Sequence, residues 1–418
     1  DIWHKAKSNI GEECLHSTYS WSEGVSSVIL SNYIGEEITI ENSQQAPAIF
    51  FDNTDYPIWV EFKFNWSHGH SATELIKIHG GELTDTFWNP APKNYKVTWT
   101  VRNEDFFALR WGVPSFVREH VLRNATQDYV GGYILGSETY IPAKDYFTAL
   151  DAPVDWKYAF ERQWLFYKLW GRLIYDPKTP DSVFEAEFVR RYGNVAKPLL
   201  SAYEKASSTQ LSYATSMNFT SDTMIYGEGM MLYHPNGTKY SAPATVDRMI
   251  AAKPLLPNWL SIKDFVAKRA AGQVIPQGIM TPLMLADKLE ADNTEALRLV
   301  KDIDVSKNAS LRYEVADVKA WANLGLYFAA KLRGAVALQT YRTIGGEQNK
   351  QDAIANLDKC LTYWDKVVEI TRPLYKDMPL VHNNGLGNIR NDDNLFHWAL
   401  VRPHIVNDIQ TIKTALAK

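Results

Sequence analysis

Tyr95-Lys-Val-Thr-Trp-Thr-Val-Arg-Asn-Glu-Asp105 and Val130-Gly-Gly-Tyr-Ile-Leu-Gly-Ser-Glu-Thr-Tyr140 are the two runs whose reading decides the fold. Each starts as an apolar run and ends in groups able to do chemistry. The first is β-branched and aromatic to Val101, then turns to Arg102, Asn103, Glu104 and Asp105; the second ends in Ser137, Glu138 and Tyr140. Between them Phe116, Val117, His120 and Val121 recur at helical spacing in the stretch Pro114 to Arg123. Strand, helix, strand is the pattern of a βαβ unit. In a (β/α)8 barrel the ends of such strands form the catalytic face, so the polar tips are where function is expected.

Upstream, Ile58-Trp-Val-Glu-Phe-Lys-Phe64 alternates as a strand does and ends in Asn65-Trp-Ser-His-Gly-His70, a third polar tip. His68 and His70 have a metal-like spacing but no third ligand follows, which favours hydrogen bonding to substrate or carboxylates, with a purely structural role as the next reading and metal binding last. Ser71 to His79 reads as a helix with a Ser71/Glu74 capping box, stopped by Gly80 and Gly81. Weaker strand signals lie at 26–33, 38–40 and 48–52. A complete eight-strand barrel takes about 250 residues; residues 1–150 therefore predict a barrel portion, its C-terminal half, or else a smaller open sheet.

From Asp155 the period becomes helical. Trp156 to Tyr175 is an amphipathic aromatic helix ended by Asp176-Pro177, and further helices are expected at 181–192, 198–215, 261–271, 281–303, 311–342, 348–372 and 395–417. The expected fold class is α/β followed by all-α: a (β/α)8-type barrel portion over 1–150, then a large helical domain over 151–418.

An apolar content of 45% over 418 residues excludes wholesale disorder, and a net charge of -4 gives no reason to expect nucleic acid as a partner. No apolar run is long enough for a membrane span. Cys14 and Cys360 read as two free thiols; neither a metal nor a cofactor motif is present. The 14 Trp and 22 Tyr suit a packed core and also stacking on the flat faces of sugars. The start at Asp1-Ile-Trp-His, without a signal segment, predicts a processed or truncated product. The sequence does not encode an oligomeric state.

Asn65-Trp-Ser-His68, Val101-Arg-Asn-Glu-Asp105, Leu109-Arg-Trp-Gly112, Gly136-Ser-Glu-Thr-Tyr140 and Phe160-Glu-Arg-Gln-Trp164 carry a resemblance, with Leu169-Trp-Gly-Arg172 and Tyr175-Asp-Pro177 behind them. Over about residues 58–180 the chain resembles the large bacterial α-glucuronidase-like glycoside hydrolases, a TIM barrel followed by a long helical domain. The resemblance implies hydrolysis of a uronic-acid-containing glycan by a secreted or periplasmic enzyme.

Most glycoside hydrolases need two carboxyl groups, one as proton donor and one as nucleophile or base. Glu104, beside Arg102, suits the ionised partner, and Glu138, among Tyr133 and Tyr140, suits the acid. A structural Arg102–Glu104 ion pair is the plainer alternative. His68, His70, Arg102, Asn103, Arg110, Trp111, Tyr140 and Trp66 are the candidate sugar contacts, arginine being suited to a uronate by its two-pronged geometry. Glu161, Arg162 and Arg172 are expected to hold the helical domain to the barrel. Two other functions share these residues: a non-catalytic carbohydrate-binding protein, and a polysaccharide lyase working through His68, Tyr140 and Arg102.

Overall fold

The computed structural model describes residues 16–22, 25–31, 37–40, 58–65, 69–78, 81–82, 91, 93, 95–101, 108–135, 145, 148–149, 153–218, 225–232, 242–381 and 390–417. In chain order the strands are β1 (His16–Ser22), β2 (Val25–Ser31), β3 (Glu37–Ile40), β4 (Ile58–Lys63), β5 (Lys77–Ile78), β6 (Gly81–Glu82), β7 (Tyr95–Thr100) and β8 (Val130–Ile134), with α1 (Pro114–Asn124) between the last two. There follow α2 (Ala159–Arg162), α3 (Trp164–Tyr175), α4 (Ser182–Tyr192) and α5 (Leu199–Met217). Next come β9 (Ile225–Tyr226), β10 (Met231–Leu232), β11 (Ala242–Pro243), α6 (Val246–Ala251), α7 (Ile262–Ala270), α8 (Pro282–Val300), α9 (Ala309–Ile344) and α10 (Glu347–Thr371). The ribbon β12 (Met378–Val381) and β13 (Arg390–Phe396) precedes α11 (Trp398–Ala417).

The expected strands β4, β7 and β8 form one parallel sheet in that order, with α1 as the crossover from β7 to β8. Val97, Trp99 and Val101 are buried on one face of β7 while Thr98 and Thr100 are buried on the other, as a parallel strand covered on both sides requires. β1, β2 and β3 form a separate antiparallel meander. The described residues hold this three-stranded parallel sheet and no closed barrel; most of the described chain is helical. The weak strand signal at 48–52 lies outside the described residues.

One expectation fails here. Residues 71–76 are not helical, and β5 pairs antiparallel with β6. The cause is Asn65, held at φ 46°: its side-chain Nδ2 donates to Glu74 O at 3.0 Å and its Oδ1 accepts from Ile76 N at 3.0 Å. That amide acts as a substitute peptide group, and Phe64 bridges to Ile78 beyond it, so the segment is drawn out as strand. A capping box is a local signal, and this long-range pairing overrides it.

Four of the helices, α6, α7, α8 and α9, begin at side-chain caps, whereas Asp181 at the start of α4 makes no capping hydrogen bond. Thr245, Ser261, Thr281 and Asn308 each accept a hydrogen bond from the backbone N–H three residues on. α9 is buried along most of its length because Ala, Val, Leu and aromatic residues cover all its sides; it packs on α5, α6, α7, α8 and α10. The expected aromatic helix is broken at Gln163, whose side chain leaves the turn to donate to Leu109 O at 3.0 Å. No helix among the described residues is long and apolar enough to cross a membrane.

Candidate active site

The three parallel strands end side by side. Phe64 N donates to Thr100 O at 3.1 Å and Val101 N to Ile134 O at 3.0 Å, carrying the ladder to the last residue of each strand. From these points leave segments 66–68, 102–107 and 136–144, which carry Trp66, His68, Arg102, Asn103, Glu104, Glu138 and Tyr140. Those seven candidates lie outside the described residues. The residues on their flanks show how each segment is tethered.

Beyond the first segment stands His70, buried, with its ring against Trp111 at 4.9 Å and Phe166 at 5.3 Å. Trp170 Nε1 donates to His70 Nε2 at 3.2 Å. Beyond the second segment, the backbone N–H groups of Ala108 and Leu109 both donate to the buried carboxylate of Glu228, with distances of 3.0 and 2.8 Å to Oε2. Beyond the third, Asp145 accepts from Thr148 Oγ1 and from Trp156 Nε1, each at 2.6 Å.

Below these tethers runs a buried charge network. Asp317 of α9 accepts from Arg110 N at 3.2 Å, from Arg110 Nη1 at 3.0 Å and from the Tyr375 hydroxyl, and Arg162 Nη2 lies 3.5 Å away as an ion-pair partner. Glu314, one helical turn earlier, accepts from Trp164 Nε1 at 3.0 Å and Tyr192 OH at 2.8 Å and lies 3.5 Å from Arg110 Nε. The Trp156 ring lies under both guanidiniums, 4.8 Å from Arg110 and 5.5 Å from Arg162. Burial opposes the charge on Arg110, but Glu314 and Asp317 outweigh it and hold its pKa well above the arginine value. Burial pulls Asp317 upward against the opposing effect of Arg110 and Arg162. Two guanidiniums and a phenol gathered on one carboxyl group are the company of an ionised carboxylate.

Of the residues expected from sequence as sugar contacts, the described ones are His70, Arg110 and Trp111. All three are buried. Trp111 Nε1 donates to Ser207 O at 3.1 Å, and Arg110 and His70 are engaged as above. Their polar groups face other parts of this chain, so they stand behind the strand ends as supports. The Arg162 side chain pairs with Asp317 and Tyr375, both in the helical part to which it belongs, and Arg162 meets Arg110 through its backbone O, which accepts from Arg110 Nε at 3.0 Å, whereas Glu161 turns back to accept from Tyr158 N at 2.9 Å at the start of its own helix. Sequence reading passed over Glu228, Glu314, Asp317 and Tyr375. A signal existed for two of them: Glu314 and Asp317 interrupt an apolar helix one turn apart, and charges buried there require partners. No group of three or more metal-ligating side chains occurs among the described residues.

No protein-family model and no curated protein matches the sequence. The fold does have a solved counterpart. A GH138 enzyme targeting pectin rhamnogalacturonan II superposes with a TM-score of 0.65 over 86% of this chain at 14% sequence identity. This chain spans about half of that structure, 52% of its length. At that identity the likeness is one of fold, and it is to a GH138 enzyme, not to the α-glucuronidase-like group that the motifs resemble.

Proposed function

We propose that this chain is the sheet-end and helical part of a glycoside hydrolase acting on a uronic-acid-containing polysaccharide, with Glu104 and Glu138 as its carboxyl pair. One observation carries the reading: Val101 and Ile134, from which the segments bearing the two glutamates leave the sheet, are hydrogen-bonded neighbours at the C-terminal end of parallel strands. Two carboxyl groups launched from adjacent strand ends can reach opposite sides of one glycosidic bond, the arrangement that acid/base cleavage needs. The fold neighbour, an enzyme of pectin breakdown, supports the substrate class.

In this reading Glu138 donates the proton to the leaving oxygen and Glu104, beside Arg102, attacks carbon or activates water. Arg102, Asn103 and His68 bind the sugar's carboxylate and hydroxyls, and Trp66 and Tyr140 stack on its faces. β4, β7 and β8 belong to a barrel whose other strands lie elsewhere in a longer protein, and a polymeric substrate places that protein outside the cytoplasm, secreted or periplasmic. The test is release of reducing ends from a uronic-acid-containing polysaccharide by the wild type and by Glu104→Gln and Glu138→Gln. Each variant is expected to lose about 10²- to 10⁴-fold in kcat while still binding substrate. Full activity in either variant would remove that residue from the mechanism.

A further inference from the structure

We infer that Glu228 is a positioning residue, fixing the chain at Ala108 and Leu109, directly after the segment that carries Glu104; this rests on the carboxyl pair proposed above. Ala108 and Leu109 follow the candidate catalytic segment directly, and their N–H groups converge on one carboxylate: Ala108 N lies 3.1 Å from Oε1 and 3.0 Å from Oε2, and Leu109 N lies 2.8 Å from Oε2. Glu228 reaches them across 119 residues of sequence and is fully enclosed. One buried acceptor group shared by two backbone donors ties two successive residues to a single point.

The turn that delivers this carboxylate is built for close approach. A Cβ on Gly227 would lie 1.4 Å from Gln210 Oε1, and one on Gly229 would lie 2.8 Å from a ring carbon of Phe396. A side chain at Gly227 would have to displace the Gln210 amide, and one at Gly229 the Phe396 ring and Met231, so the turn lies close between α5 and the end of β13. Trp398 Nε1 donates to Glu228 O at 2.6 Å and locks its backbone. On the far side, Arg110 N to Asp317 fixes the next residue along. The chain leaving the candidate segment is thus pinned at Ala108, Leu109 and Arg110 in succession, two of them by Glu228. Displacing a reacting group by about 1 Å can cost about 10²-fold in rate, so rigidity at this point bears on the reaction.

The experiment pairs Glu228→Gln with Glu228→Asp and with Gly227→Ala, which crowds Gln210 and leaves the carboxylate chemically intact. Amide exchange at Ala108 and Leu109 is measured beside kcat, KM and the thermal midpoint on the uronic-acid-containing polysaccharide. A positioning role predicts exchange at these two amides faster by about tenfold or more, kcat lower by about tenfold or more, KM within about threefold, and protection in α9 unchanged. Glu228→Asp should recover part of both effects. If exchange at 108–109 stays as in the wild type, or kcat falls only in step with the folded fraction, the inference is overturned. If the wild type itself hydrolyses nothing, the proposed activity fails, whereas the exchange arm still decides whether Glu228 holds the chain.

Discussion

Arg110 shows what a single residue's environment adds to its chemistry. In sequence it is an arginine beside a tryptophan near a strand end, well suited to a uronate; in the fold it is buried against Asp317 and Glu314 of α9. Removing one member of a buried pair leaves the other uncompensated. Asp317→Ala removes the ion-pair partner of Arg162 and leaves Arg110 with Glu314 alone, and denaturant unfolding should show a loss of about 3–5 kcal/mol; a loss near zero would mean that the network is solvated or dispensable. His120 offers a second test. Burial, with a smaller effect of His70, lowers its pKa from 6.5 to about 3. As pH falls the unfolded chain takes the proton first, so the stability is complete above about pH 6.5 and is lost progressively down to about pH 3. Between pH 7 and pH 5 the wild type should lose about 2 kcal/mol more stability than His120→Phe. Equal losses in the two proteins would contradict a neutral, buried His120. Residue types were legible in sequence; burial was not, because Asp317 lies 207 positions from Arg110.

At the scale of elements, periodicity carried most of what could be read. The strands at 58–63, 95–100 and 130–134, the crossover helix and the long helices fall where alternation or helical spacing places them. The segment 71–79 did not, since the amide of Asn65 competes with the local cap by pairing with its backbone. Asn65 and Asn124, both in glycosylation-like triplets, are buried with their side-chain amides bonded to backbone, which is a structural use of those residues. Two glycines separate propensity from packing. Gly171 in α3 has open space where a Cβ would stand, and Gly171→Ala should stabilise by up to about 1 kcal/mol. At Gly325 in α9 the Cβ would lie 2.1 Å from Asn293 Nδ2 and 2.5 Å from Thr209 Oγ1. Overpacking of about 1–3 kcal/mol outweighs the helical gain there, so Gly325→Ala should lower the midpoint of thermal unfolding while Gly171→Ala raises it. The opposite order would show that α5, α8 and α9 are not packed as described.

For the molecule as a whole, residues 108–113 are the seam. Trp321 Nε1 donates to Arg110 O at 2.9 Å, Gly112 N donates to Ser207 Oγ at 3.1 Å, and Gln163 reaches Leu109 O. The chain that leaves the sheet is thereby threaded through the helical core and held by groups 54, 95 and 211 positions away in sequence. Sequence pattern gave the parallel strands and their polar tips but could not give these tethers, which depend on pairings between distant segments. Glu228 sits in a Gly-Glu-Gly turn that reads as an ordinary loop until the fold brings it to Ala108. We propose hydrolysis of a glycan by an acid/base pair at the sheet ends. It is tested most directly by incubating the protein with a uronic-acid-containing oligosaccharide and determining the mass and near-ultraviolet absorbance of the products. Products carrying the elements of water, without new absorbance, and missing when Glu138→Gln replaces the wild type, are the result expected of hydrolysis. Unsaturated, absorbing products would make the protein a lyase, and an unchanged oligosaccharide that still binds would make it a carbohydrate-binding protein; either contradicts the account.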